Sequence, residues 1–440
     1  MLGQLVCLGR HTLTGVLCTH GAQHRDWSAD YRLYSRDRID ETALFDGLRK
    51  GVEEFCRPDA PLVLALDDTV LRKRGEKIAG VGWRRDPLSP PFQINFTRGQ
   101  RVVQISAALP QGEKEARMIP VDFAQAPTAP RPPRGAGPEQ IAQWRRDQKD
   151  ANINRQAAAR LGRLAATSNR ALRVAVDGRF TNRTFLRLAP AQATVIGRLR
   201  KDAKLFHPPG AQARTGRRRL YGEPAPSPEA LRQDSSLPWC EVEAFAAGKL
   251  HLFRVKTLGP VRSTMTGASD LRVLVIAPLG YRPRKGSRLL YRRPAYLLCT
   301  DPQLPLKELL QSFLWRWDIE VNFRDEKSLL GVGQAQVRSP NASQHLPATA
   351  VAAYGMLLLA SARAYGPGGR PELVPPPKWR TSCLPKRATT AELINTLRAE
   401  LWSQSLTRQS FRPFCSTNSP DQSHQKLQPD LASALFLAAA

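Results

Sequence analysis

The sequence lacks the cysteine and histidine spacings that mark structural metal sites and disulfide frameworks. Its seven cysteines are an odd number, and no two of them form a Cys-x-x-Cys pair. This spacing argues against a zinc ribbon and against a fold held by disulfides. It favours a reducing compartment, and we expect the protein in the cytoplasm. The seven histidines form no ligand cluster in the sequence. The cysteines are Cys7, Cys18, Cys56, Cys240, Cys299, Cys383 and Cys415.

Long hydrophobic runs are also missing. No stretch approaches the roughly 18 uninterrupted apolar residues of a membrane span, so the sequence predicts no span and no membrane partner. The N-terminal residues 1–10 lack the length and the basic start of a signal peptide. The apolar run at 435–440 is too short for an anchor.

Acidic residues are few beside the basic ones, 38 against 66, which gives a formal net charge of +28. The excess is spread along the chain and is typical of a protein that meets phosphate backbones. A basic proteome or acidic protein partners are the alternative explanations. No aromatic RNA-recognition motif is visible, which favours DNA over RNA. The length of 440 residues predicts two or three domains.

Acidic residues follow two predicted strands. The apolar run 61–66 ends at Asp67 and Asp68, and the run 172–176 ends at Asp177. A strand that ends in an acid at the edge of an α/β sheet presents a carboxylate where ligands bind. Aspartate is also a common turn residue after a strand, so each acid alone is a weak signal.

The remaining periodicity predicts a mixed α/β protein. Further strands are expected at 102–109 and 194–200, and a β-rich, basic stretch is expected at about 201–295. Thr389 and Glu392 have the spacing of a capping box at the start of a last helix. Helices are expected at about 40–55, 139–167, 305–330 and 348–363.

One predicted helix places an acid between two cations. At about 100° per residue, Phe313, Arg316, Glu320 and Lys327 lie within about 60° of one another. A carboxylate that can hold metal, flanked by cations that can hold phosphate, suits a phosphodiester site. The alternative is an exposed helix face with an ordinary Arg–Glu pair at i, i+4.

These four residues resemble the Y-R-E-K signature of bacterial insertion-sequence transposases. That family belongs to the RNase H-like DDE group, and the likeness is to its insertion-sequence-four-type branch. The stretch 64–69, Leu-Ala-Leu-Asp-Asp-Thr, resembles the first-aspartate motif of the family, and 174–177 resembles the second. The similarity covers roughly 62–339. Phe313 departs from the signature, which has tyrosine there.

The resemblance implies an RNase H-like mixed sheet with flanking helices, interrupted by a β-rich insertion, plus helical N- and C-terminal parts. The predicted N-terminal region, 1–60, is helical, and DNA-end binding is one role for it. The catalytic domain has two parts, 61–200 and 296–364, on either side of the β-rich insertion at 201–295. A linker and a tail follow at 365–440.

The resemblance also implies that Asp68, Asp177 and Glu320 are the catalytic residues and hold Mg²⁺ or Mn²⁺. Hard carboxylate oxygens are the ligands that these ions prefer. The position before Thr69 favours Asp68, but Asp67 stays open, because strand alternation points the two acids to opposite faces. The expected chemistry is cleavage of DNA at transposon ends and strand transfer to a target.

The implied partners are double-stranded DNA, as transposon ends and target, and a second copy of the chain in a homodimer on DNA. A lone tryptophan, Trp239, could stack on an unpaired base, although such residues more often pack in a core. The expected DNA-binding residues are Arg72, Lys73, Arg74, Arg316, Arg324 and Lys327. For the three residues 72–74, a solvated basic turn is the alternative.

Two other functions remain open on the sequence. One is a non-catalytic DNA-binding protein derived from a transposase, and the other is a metal-dependent nuclease of repair or defence. The presence of all three carboxylates argues against simple decay, whereas Phe313 and the short N-terminal region leave room for it.

Overall fold

A computed structural model describes residues 1–406 except 87–88, 91, 112–114, 212–215, 285 and 372–386. Much of the predicted linker and tail at 365–440 therefore lies outside the described residues. The chain forms a mixed sheet with helices on both of its faces, as the sequence predicted.

The sheet has ten strands in the order β2-β3-β1-β5-β6-β14-β11-β10-β9, with β4 paired to β3. The pairs β1–β5 and β5–β6 are parallel, and the others are antiparallel. Two short hairpins, β7–β8 and β12–β13, lie off the sheet. The strands are β1 (Leu62–Arg72), β2 (Val81–Arg85), β3 (Phe96–Gln111), β4 (Glu115–Gln125), β5 (Leu172–Val176), β6 (Ala193–Arg198), β7 (Leu205–Phe206), β8 (Pro224–Ala225), β9 (Cys240–Ala246), β10 (Lys249–Val261), β11 (Leu271–Ile276), β12 (Gly280–Tyr281), β13 (Leu290–Tyr291) and β14 (Ala295–Cys299).

The β-rich character expected at 201–295 is present, but this stretch does not stand apart from the sheet. Strands β9, β10 and β11 extend the sheet beyond β14, which pairs with β6. The domain divisions predicted from sequence stay predictions.

The helices fall before, between and after the strands. The two long helices predicted at 139–167 and 305–330 are each two helices. Asn152 interrupts the first because its side chain accepts a hydrogen bond from the backbone N–H of Asn154 and starts a new helix. The helices are α1 (Leu2–Val6), α2 (Leu13–Thr19), α3 (Ser28–Ser35), α4 (Glu41–Glu53), α5 (Pro138–Asp150), α6 (Ile153–Thr167), α7 (Arg183–Leu188), α8 (Pro228–Gln233), α9 (Leu306–Trp315), α10 (Asp318–Ser328), α11 (Pro340–Tyr365) and α12 (Thr390–Leu406).

Alternation along β1 divides the core between the two faces of the sheet. Leu62, Leu64 and Leu66 are fully buried in the cluster that α4, α6 and α11 complete. Val63 and Ala65 point the other way and pack with residues of α10. Each face of β1 is therefore covered by a different set of helices. Side chains further along the strand point alternately to these two faces.

Helices before and after the strands, within the described residues, pack on the same core. Helix α4 contributes Phe45 and Val52 to the large cluster. The predicted capping box at α12 is confirmed: the backbone N–H of Thr389 donates to Glu392 at 2.7 Å, and the N–H of Glu392 donates back to Thr389 at 3.2 Å. Within the described residues, α11 is the one helix long and apolar enough to cross a membrane, and 78% of its most apolar window is buried inside the protein.

A buried acid ties β4 to α6. Asp122 is 1% exposed and accepts hydrogen bonds from Arg160, at 2.6 Å from its Nε, and from Arg163. Asp122→Ala leaves two arginines half-buried without this partner. Because such a loss costs about 3 kcal/mol or more for a buried pair, we expect the free energy of unfolding in urea to fall by about 3 kcal/mol.

The matched control is Glu54→Ala, which removes the exposed ion pair between Glu54 and Arg363. Surface pairs contribute at most about 1 kcal/mol, so this variant should stay close to the wild type. Equal losses in the two variants would contradict the assigned role of Asp122.

Candidate active site

The register of three parallel strands sets one row of side chains at the centre of the sheet. Leu66 of β1 pairs with Val176 of β5, and Val176 pairs with Gly197 of β6. The next residues are Asp67 and Asp177. Since residues in register on neighbouring strands point to the same face, these two acids share a face of the sheet.

That face is the one covered by α10. Val63 and Ala65 lie on it, four and two residues before Asp67. Gln104, which is paired with Asp67 across β1 and β3, donates to buried Glu326 of α10 at 2.9 Å. The carboxylate of Asp67 therefore faces the helix that carries Glu320.

Arg316 joins the two acids. Its Nη1 lies 3.3 Å from Oδ2 of Asp67, and its Nη2 lies 3.7 Å from Oε1 of Glu320. Burial raises the pKa of both Asp67 and Glu320, and negative charge on Asp177 acts on both and raises it further. The structure thus brings Asp67, Asp177, Glu320 and Arg316 together, as sequence reasoning predicted for the last three.

The placement of Asp68 differs from the prediction. Its carboxylate lies on the opposite side of β1, 3.3 Å from Nε of Arg101 and 3.2 Å from Nε of Arg179. The expected alternation of the two acids is confirmed, but the face that α10 covers belongs to Asp67. The geometry therefore replaces Asp68 with Asp67 beside Glu320, because strand parity decides which acid meets α10.

A tight turn between α9 and α10 delivers Arg316. The single helix expected here ends at Trp315, and the backbone N–H of Arg316 donates to the carbonyl of Phe313 at 3.2 Å. The Phe313 ring lies 5.6 Å from the guanidinium carbon of Arg316, a cation–π contact. The ring that stands at the signature tyrosine thus helps to position the arginine.

Lys327 fastens the other end of α10 to β1. Its Nζ donates to the hydroxyl of Thr69 at 2.5 Å, two residues beyond Asp67 on the same face of β1. Burial lowers the pKa of Lys327. Next to it, complete burial raises the pKa of Glu326 to about 8, against the hydrogen bond from Gln104. These contacts fix the height and rotation of α10 over the acids.

The acids of the site have raised pKa values. Burial, and then the neighbouring Asp177, raise the pKa of Asp67 to about 7, and Arg316 opposes the shift only in part. Burial also raises the pKa of Asp68, against Arg179 and Arg101. Buried carboxylates that lack enough positive charge form a donor set suited to a divalent cation. Within the described residues, no three acidic, histidine or cysteine side chains already lie close enough to hold one ion.

A comparison with family models decides the relationship. The model described as DDE superfamily endonuclease matches residues 1–256, which is more than half of the chain. The chain belongs to the DDE endonuclease superfamily. Comparison with curated proteins gives no match. The mixed sheet with flanking helices is that of an RNase H-like DDE fold, and members of the superfamily use divalent metals.

The match covers part of the site of this DDE endonuclease. It includes both candidate first acids, Asp67 and Asp68, and it includes Asp177, but it ends before Glu320. The third acid therefore rests on the geometry of α10 and on the sequence signature, independently of the family match.

The predicted DNA-binding residues of the DDE endonuclease divide by exposure. Arg72 and Arg324 are 68% and 69% exposed in their side chains, and Arg74 is exposed. Lys73 is buried, and its Nζ donates to the carbonyls of Gly333 at 2.8 Å and Ala335 at 2.6 Å. This correction follows from alternation, which turns Lys73 inward between two exposed arginines.

Sequence reasoning missed three arginines near the acids. Arg101 and Arg179 hold Asp68, and Arg198 follows Gly197 in the row next to Asp177. The sequence offered a signal for Arg179, which lies two residues after Asp177. Arg101 and Arg198 become visible only through strand pairing. Trp239 packs beside a buried cluster, and Nζ of Lys256 lies 4.8 Å from the centre of its ring.

The raised pKa of Asp67 predicts a pH-dependent difference between the wild type and Asp67→Asn. In the folded protein without metal, Asp67 keeps its proton up to about pH 7, whereas an unfolded aspartate ionises near pH 4. Between these values the folded state binds more protons, so its stability falls as pH rises. The asparagine variant lacks this loss.

Urea unfolding at pH 5, 6 and 7 in the presence of EDTA measures the effect. The free energy of unfolding of the wild type, relative to Asp67→Asn, should fall by up to about 1.4 kcal/mol per pH unit. Parallel pH profiles for the two proteins would show that Asp67 is already ionised and would remove this account of the site.

Proposed function

We propose that this protein is an insertion-sequence transposase that cuts DNA at transposon ends and transfers the cut strand to a target. The observation that carries the proposal is the row formed by Asp67 and Asp177 under the helix that brings Glu320. These residues replace the triad expected from sequence in one position only, where Asp67 takes the place of Asp68.

The proposed metal ligands are Asp67, Asp177 and Glu320, with Mg²⁺ or Mn²⁺ as the ion. Their carboxylate oxygens are hard donors, and the raised pKa of Asp67 reflects buried negative charge that Arg316 compensates only in part. Held by these residues, a pair of such ions would supply activation of water or a 3′-hydroxyl and stabilisation of the leaving oxygen.

The side chains of the chain itself prepare this site. Arg316 holds the carboxylates of Asp67 and Glu320 toward each other, and its guanidinium has further N–H groups for a phosphate oxygen. Below about pH 7, Asp67 keeps a proton on its carboxyl group, and it would have to release that proton to hold a metal ion. Lys327 and Thr69 hold α10 in register with β1.

The proposed partners are double-stranded DNA and a second copy of the chain in a homodimer. The net charge of +28 and the exposed side chains of Arg72, Arg74 and Arg324 support the DNA part. The cysteines Cys7, Cys18, Cys56, Cys240 and Cys299 are free thiols, which fits the proposed bacterial cytoplasm, with the protein on the nucleoid.

DNA cleavage by variants in which single carboxylates are replaced by amides tests the proposal. The full-length protein is incubated with Mg²⁺ and the DNA ends that flank its gene, and nicked products are separated on a denaturing gel. Asp67→Asn and Glu320→Gln should lose cleavage to below detection, because each removes a metal ligand. Asp68→Asn should lose only about tenfold to a hundredfold, as expected for a residue that acts around the ligands.

Binding of the same DNA ends by each variant, measured by gel shift, controls for folding and should stay near the wild type. Full cleavage by Glu320→Gln would refute the assignment of the third ligand. Loss in Asp68→Asn with retention in Asp67→Asn would return the first position to Asp68. Cleavage without any strand transfer would favour a nuclease of another role.

The basic turn after β1 offers a second test on DNA binding. The double variant Arg72→Ala/Arg74→Ala should bind DNA with a salt dependence shallower by about 2 in the logarithmic slope, since each phosphate contact contributes about 0.9. Lys73→Ala should keep the slope but lose about 1–3 kcal/mol of stability, because two backbone carbonyls lose their donor.

Fluorescence anisotropy at several salt concentrations gives the slope, and urea unfolding gives the stability. A slope reduced equally by Lys73→Ala would mean that this lysine meets DNA despite its burial. An unchanged slope in the double arginine variant would assign the turn to solvent alone.

A further inference from the structure

A basic cavity of about 920 Å³ lies beside Asp177. Its wall includes Gly178, the residue that follows Asp177, together with residues of β6, of the loop after β6 and of the turns before β11 and β14. The volume is at the upper end for pockets that take small ligands, roughly 300–1,000 Å³. Five cations line the cavity: Arg198, Arg200, Lys201, Lys204 and Arg293.

Strand register connects this cavity to the acids. Val176 pairs with Gly197, so Arg198 follows Asp177 in the row that begins at Asp67. Ile196, two residues earlier on β6, packs with α9, and Arg198 therefore lies on the same face as the acids. The rest of the lining belongs to the opposite face of the sheet, because Leu199 and Tyr296 lie in the cluster that Leu231 of α8 completes. The cavity therefore meets the candidate active site at the edge of the sheet, at Gly178 and Arg198.

The cations of the cavity are available to a ligand. Arg200 pairs with Asp202 at 2.9 Å. Among the described residues, no acid lies within ion-pair distance of the other four cations. The one described acid in the lining is Glu229, and its pKa is lowered to about 2 by the hydrogen bond from Arg232 and then by Tyr296. Glu229 is therefore already engaged.

The remaining lining is apolar and hydroxylic. Leu199, Met265, Pro294 and the ring of Tyr296 lie among the cations. A nucleotide strand has the same division, with charged phosphates along one side and flat apolar bases along the other. Cations with donors suit the phosphates, and the apolar lining suits bases or sugars.

We propose that the cavity binds an unpaired segment of one DNA strand that passes from the candidate active site over the edge of the sheet at Gly178. A cavity of this size accepts a strand of a few nucleotides but not a double helix. This inference rests on the proposed function and deepens it, because it says where one strand lies after it leaves the duplex at Asp177.

The test compares a single-stranded probe with its duplex. The triple variant Lys201→Ala/Lys204→Ala/Arg293→Ala and the wild type are titrated with a fluorescein-labelled oligothymidylate of about 20 nucleotides, and with that strand paired to oligoadenylate. For the single strand, the logarithmic salt slope should become shallower by about 2, since each lost phosphate contact contributes about 0.7. The slope on the duplex should change less.

Two control variants separate the cavity from general charge. Lys50→Ala/Arg131→Ala/Arg134→Ala removes the same charge from exposed positions that line no part of the cavity, and its slope should match the wild type. The charge-preserving variant Lys201→Arg/Lys204→Arg/Arg293→Lys should restore the slope. Equal effects of the two alanine variants would overturn the proposal in favour of diffuse electrostatic attraction.

The outcome also separates the cavity from the chemistry. If the wild type cuts its flanking DNA ends and the cavity variant cuts and binds equally well, the cavity proposal fails while the transposase proposal stands. If the wild type cuts nothing and the single-strand slope still depends on the cavity, the proposed cleavage fails instead. A slope that changes only on the duplex would overturn the assignment to a single strand.

Discussion

The parallel pairing of β1 with β5 is the constraint on which the site depends. One register, Leu66 with Val176, decides that Asp67 and Asp177 stand side by side and point to the same face. A slip of one residue would place Asp68 beside Asp177 and would turn the buried leucines of β1 away from their core. The burial of these leucines therefore fixes the register, and the register fixes which acids lie side by side.

The two adjacent aspartates show how one strand supplies two opposite electrostatic environments. Asp68 meets Arg101 and Arg179, whereas Asp67 meets Asp177 and one shared arginine, Arg316. Burial raises the pKa of both acids, but two arginines oppose the rise at Asp68, whereas one shared arginine and the nearby Asp177 leave the pKa of Asp67 at about 7. A carboxylate that the protein does not compensate has most to gain from a bound cation, which is a reason, apart from position, to prefer Asp67 as a ligand.

The sequence was sufficient for the local features and insufficient where long-range pairing decides. Continuous apolar runs predicted β1 and β5, and the capping box at Thr389 is where the spacing placed it. The tight turn at Arg316 carries no glycine or proline, so periodicity alone extended one helix through it. Alternation predicted opposite faces for the two aspartates, but the choice between them required knowledge of which helices cover which face.

Long-range pairing also decides which basic side chains lie near the acids and which are buried elsewhere. The cations 72–74 look alike in the sequence. Their exposure still alternates past the end of β1: Arg72 and Arg74 are exposed, while Lys73 is buried and donates to backbone carbonyls of the segment after α10. Conversely, the position of Arg198 next to Asp177 follows only from the pairing of β5 with β6. The cations that face the candidate site are therefore those in register with its acids on neighbouring strands. A run of consecutive basic residues in the sequence does not identify them.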